Sequence, residues 1–440
     1  MPLDAAEQVN EPTVVRPRKV FRMPKRAVRR EALLILLFST TITAHYLYVS
    51  EFPTGSIHWL PWLALLGAAL VGLLSLAWLR TAGFPRKSSL PAVVWVLFAL
   101  CALASCLLHG AGIAPAIFYL VGVPVIFFNI LPLLFGRRGS FIAACSVLLS
   151  ALTLILMSLV LAPPHFGQPY QGILAYTIHL GEVSSLMVAA TLGLLGGALS
   201  YGKAGQRYVI ALSLMLFLAL MVGVTTAYRT SVATSLLLII IFTVLNHKRA
   251  ARLMRVYAAF VAIMIALGVA ASLSSYGEAF RIWEAIATKQ ERRAEDEAGG
   301  VTAYRDEQAK TTIAHARWFG YGTAANPRDY LQTTIGYHSA YTAVLGRYGI
   351  PAIFCFLGVW ITSIRCARRY MRATAKTDPY NNFPLLCILF FVFFTLGSVV
   401  LYPWLTGPMF PVLASVGIVV MREAVEARDR ARGTVSVPAA

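Results

Sequence analysis

Long apolar runs alternate with short polar connections along almost the whole chain. About twelve of these runs approach the roughly 20 residues that a helix needs to cross a bilayer. The predicted spans are 31–50, 59–79, 89–108, 113–135, 141–162, 173–200, 208–225, 232–246, 256–274, 340–363, 380–401 and 409–421. The pattern therefore predicts an all-α polytopic membrane protein, with kinks at Pro115, Pro124 and Pro132 in the fourth span.

A single long polar segment, Ser275–Tyr337, lies between the predicted spans nine and ten. It carries eight Lys or Arg residues and nine Asp or Glu residues, so it is close to neutral. Apolar spacing predicts a helix over Glu278–Ala287 that lies as a lid on the membrane surface. A second helix is expected from Thr302 to about Phe319, with His315 packed in its last turn.

Basic residues fix the predicted orientation. Of the 38 Lys and Arg residues, 28 lie in the two tails and in the connections that share their side of the membrane. Because such residues accumulate in the cytoplasm, both termini are predicted to be cytoplasmic and the large loop periplasmic. The predicted divisions are a basic tail, spans 1–9, the loop, spans 10–12 and a second tail: 1–30, 31–274, 275–339, 340–421 and 422–440.

Composition agrees with a membrane protein. The chain has 440 residues, is 58% hydrophobic and has a mean hydropathy of +0.69. Its formal charge of +19 follows from the topology, so it indicates contact with membrane lipids rather than with nucleic acid. None of the six cysteines falls in the large loop and none forms a Cys-x-x-Cys pair, so neither a disulfide framework nor a metal site is expected.

Two features inside or near the spans are open to more than one interpretation. His179 and Glu182 share a helix face in span six, where a charge is costly. They are either functional, or a hydrogen-bonded pair that joins helices, or a pair at the membrane interface. Arg229, the lone base in a short outer connection, either binds phosphate or reaches toward lipid headgroups.

The end of the loop carries a combination of short motifs. Arg305 precedes Gly320-x-Gly322, and then His338-Ser339, nine residues and Gly349 follow. This combination resembles the O-antigen ligase family, which also contains O-antigen polymerases and bacterial O-oligosaccharyltransferases. The family pattern is His, then Asn, Ser or Gln, nine residues and Gly, at the end of the largest periplasmic loop. Three positions later the family has Gly, Thr or Tyr, where this chain has Ala352.

The resemblance implies a GT-C-like enzyme of the bacterial inner membrane that transfers a glycan from undecaprenyl pyrophosphate. Such a transfer needs cations that neutralise the leaving diphosphate, and a base that takes the acceptor proton. Arg229 and Arg305, assisted by Arg281, are the expected diphosphate ligands, and His338 is the expected general base. Residues expected to line the sugar path are Tyr337, Ser339 and Tyr341. No cofactor is expected, and no outer Asp-x-Asp pair is present for a metal.

By this resemblance the acceptor is a sugar hydroxyl of lipid A–core. A direct, inverting displacement is the simplest mechanism, since no carboxylate nucleophile is placed opposite His338. An O-antigen polymerase and a protein O-oligosaccharyltransferase remain alternatives, because they use the same donor chemistry. A transporter or flippase of lipid-linked glycans is the alternative from another class. It is disfavoured because the sequence shows neither an internal repeat nor many charges inside the spans.

The predicted orientation can be tested by cysteine labelling in a cysteine-free background. Ala294→Cys, in the loop, should react with a membrane-impermeant maleimide applied from the periplasmic side, because the loop is exposed there. Val14→Cys, in the amino-terminal tail, should react only after the membrane is opened. Reaction of Ala294→Cys from the cytoplasmic side alone would show that the orientation is wrong.

Overall fold

The computed structural model describes residues 25–49, 90–110, 113–161, 180–201, 205–225, 229–249, 251, 254–258, 261–262, 265–266, 301–322, 337, 339–375, 377–397 and 409–431. Every regular element in these ranges is helical, which confirms the predicted all-α class. The α-helices are α1 Lys25–Val49, α2 Leu90–Leu108, α3 Ala114–Ile117, α4 Leu131–Phe135, α5 Gly139–Leu161, α6 Leu180–Ser200, α7 Gln206–Thr225, α8 Arg229–Leu245, α9 Val301–Ala314, α10 Ala340–Tyr348, α11 Ile350–Thr374, α12 Asn382–Phe394 and α13 Met409–Ala431. The π-helix Phe118–Ile130 joins α3 to α4, and short 3₁₀ turns, Gly136–Arg138 and His247–Arg249, follow α4 and α8.

Four of these helices are long and apolar enough to cross a membrane: Leu90–Leu108, Gly139–Met157, Leu180–Ser200 and Ile350–Thr374. Five shorter apolar helices accompany them, within the π-helix and in α7, α8, α12 and α13. The chain therefore has the helices of a polytopic membrane protein. The predicted second span, most of the ninth and the lid helix Glu278–Ala287 lie outside the described residues, so the count of twelve spans stays a prediction.

The fourth predicted span is the irregular one. Its middle is a π-helix of 13 residues with Pro124 inside it. Proline has no N–H to donate and crowds the preceding turn, so a wider helical turn is a natural accommodation. The prolines were expected to cause kinks here, and the structure shows the departure from regular α-helix as a π-helix.

Helix α6 forms the centre of the bundle, since every residue from Leu180 to Leu199 is buried. Helices α5, α7, α8 and α12 pack around it. A Cβ atom at Gly193 would lie 2.6 Å from the Cβ of Phe383 on α12, so the absence of a side chain allows close contact. Small residues at such contacts are typical of helices packed in membranes, where apolar burial alone does not drive association.

The two ends of the bundle carry different chemistry. At one end, Arg30 donates to the Leu134 carbonyl at 3.4 Å, and Arg138 forms a 2.7 Å ion pair with Glu31. We call this the basic end. The other end, where the polar loop joins α10, is called the loop end. There Ser105, near the end of α2, donates to the Arg347 carbonyl at 2.7 Å.

At the loop end, two backbone segments are bonded to each other. The turn after α9, residues 317–322, lies against the junction of α10 and α11, residues 346–350. Tyr321 and Gly322 donate their N–H groups to the carbonyls of Gly346 and Arg347 at 2.9 and 3.0 Å. In return, Ile350 donates to the Arg317 carbonyl at 3.1 Å. We call this arrangement the clasp.

Two motif glycines make the clasp possible. Gly320 and Gly349 have φ values of +64° and +91°, which L side chains rarely adopt. A Cβ at Gly349 would overlap the Trp318 carbonyl oxygen, and one at Gly320 would overlap the Arg347 carbonyl group. The spacing of nine residues between Ser339 and Gly349 is thus the length of α10, from its N-cap to its C-cap.

The clasp explains two errors in the sequence-based prediction. The predicted span 340–363 is two helices, because the chain breaks at Gly349 before α11 begins. The loop helix ends at Ala314, not near Phe319, because residues 317–322 bond to the α10–α11 junction instead of continuing the helix. His315 was expected to pack, but its side chain is exposed, and its bond within the described residues is to the Thr311 carbonyl one turn earlier, at 3.0 Å.

The importance of the close contact can be separated from that of the backbone conformation. Gly110 also has a positive φ, +61°, but a Cβ there would meet nothing within 4 Å. We expect Gly110→Ala to cost about 1 kcal/mol, for conformation alone. Gly349→Ala should cost more than about 3 kcal/mol, because the backbone must also move apart.

Thermal unfolding of the purified variants in one detergent gives the comparison. The midpoint should fall much further for Gly349→Ala than for Gly110→Ala. Equal shifts would mean that the Trp318 contact contributes nothing beyond the strained backbone.

Candidate active site

The amino-terminal end of α10 is bonded to the carboxyl-terminal end of α12. Ser339 is the N-cap of α10, and its hydroxyl accepts from the Tyr341 N–H at 3.3 Å. The same hydroxyl donates to the Thr395 carbonyl at 3.2 Å, as does the N–H of Ala340. Capping by serine satisfies one of the helix's free N–H groups, so α10 begins at a fixed point of the bundle.

The predicted base, His338, lies outside the described residues, but both its neighbours are described. Ser339 follows it at the N-cap, and Tyr337 precedes it. The Tyr337 ring centroid is 5.5 Å from the guanidinium carbon of Arg347, in the last turn of α10. The chain on either side of His338 is therefore held to both ends of the same short helix.

Tyr341 faces the bundle. Its hydroxyl donates to the Val392 carbonyl on α12 at 3.1 Å, and its ring lies 5.7 Å from that of Phe356 on α11. These contacts fix the first turn of α10 between α11 and α12. The hydroxyls of Ser339 and Tyr341, two of the predicted lining residues, are thus both bonded to backbone carbonyls of the bundle.

The turn after α12 also reaches the start of α8. A Cβ at Gly397 would lie 2.7 Å from the Oγ1 of Thr230, the second residue of α8. Arg229 is the first residue of that helix, and its side chain lies outside the described part. The turn Thr395–Gly397 therefore stands between the residue that follows His338 and the residue that follows Arg229.

Buried serines join the start of α8 to the start of α6. Ser231 donates to the Gly181 carbonyl at 2.6 Å. Its hydroxyl is also 2.8 Å from the hydroxyls of both Ser184 and Ser185. Hydroxyls buried between helices find partners because an unbonded polar group is costly in an apolar interior. This cluster fixes where α8, and hence Arg229, begins.

Glu182 lies in the first turn of α6, beside this cluster. It is 5% exposed, and no hydrogen bond or ion pair to its carboxyl group occurs within the described ranges. His179, its predicted partner one turn earlier, lies outside the described residues. Its burial shows that Glu182 faces the interior of the bundle rather than lipid.

Helix α9, which contains Arg305, packs against α10. Gln308 and Thr312 are buried on this helix. Helical spacing places position 305 on the same face as 308 and 312. The side chain of Arg305 and the whole of Arg281 lie outside the described residues. Among the described residues, no group of three or more His, Cys, Asp or Glu side chains is arranged to hold a metal ion.

Some residues of this site were not singled out by the sequence motifs. Arg347 lies within the nine unspecified residues of the motif, yet its side chain is only 8% exposed. The motif allows any residue at this position, so the sequence pattern did not single Arg347 out, and its burial became visible only in the structure. Thr395 and the serine cluster carried no signal, because hydroxyl residues are common in membrane helices.

Comparison with known proteins gives a result for the same region. No curated protein matches the chain. A family model described as O-antigen ligase matches residues 214–357, about a third of the chain, and this segment contains Arg229, Arg281, Arg305 and His338. Members of that family are glycosyltransferase-like enzymes that act on lipid-linked glycans. From the middle of α7 to the first turns of α11, the chain is therefore similar to the O-antigen ligase family, which confirms the resemblance predicted from its motifs.

Proposed function

We propose that this protein is an O-antigen ligase of the bacterial inner membrane. It transfers a polysaccharide from undecaprenyl pyrophosphate to a sugar hydroxyl of lipid A–core, on the periplasmic face. The observation that supports this most is the position of the turn Thr395–Gly397. It contacts the N-cap of α10, next to His338, and the first turn of α8, next to Arg229.

In this proposal the donor diphosphate binds at the loop end. Arg229 heads α8, whose free N–H groups and dipole favour an anion, and its guanidinium forks onto two phosphate oxygens. Arg305 reaches the same diphosphate from α9, and Arg281 assists from the lid helix. As the glycosyl–oxygen bond breaks, negative charge grows on the leaving diphosphate, and fixed arginines stabilise it.

His338 takes the proton from the acceptor hydroxyl as the hydroxyl oxygen bonds to the anomeric carbon. The bond from that carbon to the diphosphate oxygen breaks, and undecaprenyl pyrophosphate leaves with its electron pair. The proton then passes from His338 to solvent. No covalent glycosyl–enzyme step is invoked, so the anomeric configuration inverts, and the arginines perform the electrostatic work without a metal ion.

The remaining predicted residues shape the wall of this site. Tyr337 stacks near Arg347 and leads directly into His338. Because Ser339 and Tyr341 already donate to the Thr395 and Val392 carbonyls, they line the sugar path through position and shape. Their bonds keep the base from moving as the acceptor enters.

Substitution of the arginines tests the diphosphate site. Arg229→Ala and Arg305→Ala should each lower the ligation rate by roughly 100-fold, because a transition-state contact is lost. Arg→Lys should rescue either position poorly, since an ammonium group does not fork onto two oxygens. Lys310→Ala, at an exposed position of α9, is the matched control and should keep its rate.

The rates should be measured with purified enzyme and normalised to the amount of folded protein. Full activity in both alanine variants at positions 229 and 305 would rule these two residues out as diphosphate ligands.

His338→Ala tests the base directly. Turnover should fall roughly 100- to 10,000-fold, the usual effect of a positioned acid–base group. Affinity for the lipid diphosphate should change little, since the arginines are untouched. In the unsubstituted enzyme the rate should rise with pH through the imidazole pKa, about 6.5, and then level, because only neutral imidazole accepts a proton.

The experiment measures turnover and lipid-diphosphate affinity on the same preparation. His315→Ala is the control, because His315 is an exposed histidine of the same loop with only a local bond. If His338→Ala lost affinity in proportion to turnover, the residue would be a binding or structural group, and the base would lie elsewhere.

A further inference from the structure

A groove of about 710 Å³ opens at the basic end, opposite the candidate active site. Helices α5 and α7 pack on either side of α6, and the groove runs between them over the surface of α6. Its size is within the range of ligand sites, roughly 300–1,000 Å³. None of its lining residues belongs to the site described above.

The two halves of the groove differ in polarity. At the basic end its mouth carries the side chains of Arg138, Tyr201, Arg207, Tyr208 and Tyr380. Below them the wall is apolar and is contributed by three helices. Its larger members are Leu148, Leu152, Leu194, Leu212 and Met215. An amphipathic ligand with a charged head and a long hydrocarbon body fits this division.

The backbone fixes the polar mouth. Gly205 is buried, and a Cβ there would overlap the Ala198 carbonyl oxygen, so the start of α7 lies directly on the end of α6. This brings Tyr201 and Arg207 to the same mouth. On the other side, the Tyr380 ring lies 4.8 Å from the ring of Phe141 on α5.

The two arginines of the mouth are in different electrostatic settings. Arg138 donates a hydrogen bond to the Glu31 carboxylate at 2.7 Å, and its guanidinium carbon lies 4.3 Å from the Phe141 ring centroid. Arg207 is exposed and has no carboxylate partner in the described part of the chain. Its guanidinium lies 4.9 Å from the ring of Tyr208, and donates to that residue's hydroxyl at 3.2 Å. Among the residues that line the mouth, Arg207 is therefore the cation that has no acidic partner in the described part of the chain.

We propose that this groove binds one anionic diacyl phospholipid of the predicted cytoplasmic leaflet. The phosphate accepts hydrogen bonds from Arg207 and from the tyrosine hydroxyls, and the acyl chains lie along the apolar wall. A soluble anion would leave the apolar wall uncovered, and a zwitterionic headgroup would bring a second positive charge to the arginines. The undecaprenyl donor is expected at the loop end, at the other side of the bilayer.

Native mass spectrometry of the full chain in detergent tests the site. The probes are phosphatidylglycerol, phosphatidylcholine with the same acyl chains, inorganic phosphate, and undecaprenyl phosphate. We expect phosphatidylglycerol to bind about fivefold to tenfold more tightly than phosphatidylcholine. Inorganic phosphate and undecaprenyl phosphate should not displace it at equal concentration.

Two variants act on the two halves of the groove. Arg207→Gln should weaken phosphatidylglycerol binding about fivefold and remove the preference over phosphatidylcholine. Leu212→Trp should weaken the binding of both lipids, because the larger side chain fills the groove. Arg368→Gln, an exposed arginine of α11 outside the groove, is the matched control and should leave binding unchanged.

Thermal midpoints without added lipid show whether each variant is folded, and the exposed position of Arg207 makes its variant the decisive one. Equal affinity for the two phospholipids in the unsubstituted protein would overturn the proposal. Unchanged binding in a folded Arg207→Gln variant would also overturn it. Displacement of phosphatidylglycerol by undecaprenyl phosphate would assign the groove to the carrier lipid instead.

Discussion

The clasp at the loop end is the constraint on which the candidate site depends. Three backbone hydrogen bonds tie residues 317–322 to residues 346–350, and Gly320 and Gly349 leave no room for a side chain at the contact. Residues 346–349 are buried, and buried backbone groups need partners within the protein, so the bonds of the clasp stabilise the break between α10 and α11. A helix of nine residues needs external contacts to keep its position, and α10 is bonded to its neighbours at both ends.

A continuous set of contacts therefore links α10, the turn after α12, the start of α8 and the central helix α6. From the clasp, α10 leads back to Ser339, which donates to Thr395. The turn that begins at Thr395 reaches Thr230 through Gly397, and the buried hydroxyl of Ser231 bonds to Gly181 on the central helix. Residues far apart in the chain are thus placed by hydrogen bonds of 3.2 and 2.6 Å and by the close approach at Gly397, among buried helices where such bonds hold position strongly. In the proposed reaction, this rigidity keeps the base and the phosphate ligands at a constant separation.

The sequence predicted the helical class, because the length of the apolar runs is a direct mark of it. The motif glycines were noted as part of the family pattern, but their positive φ values and close contacts became visible only in the structure. The sequence did not predict that α10 and α11 are separate helices, since Ala340–Ser363 is apolar enough to pass for one span. Nor did it predict that α9 would end at Ala314. That boundary depends on bonds to a segment more than 25 residues further along, which no local pattern records. Arg347 was missed for the same reason, because its burial results from tertiary packing.

As the proposed ligase, the protein would form a new glycosidic bond on lipid A–core. The most direct test mixes the purified protein with lipid-linked glycan and three acceptors separately: lipid A–core, a second lipid-linked glycan, and a periplasmic protein substrate. We expect glycan on lipid A–core and release of undecaprenyl pyrophosphate, without added metal. Extension of the lipid-linked glycan, modification of the protein, or movement of unaltered donor across a vesicle membrane would contradict the proposal.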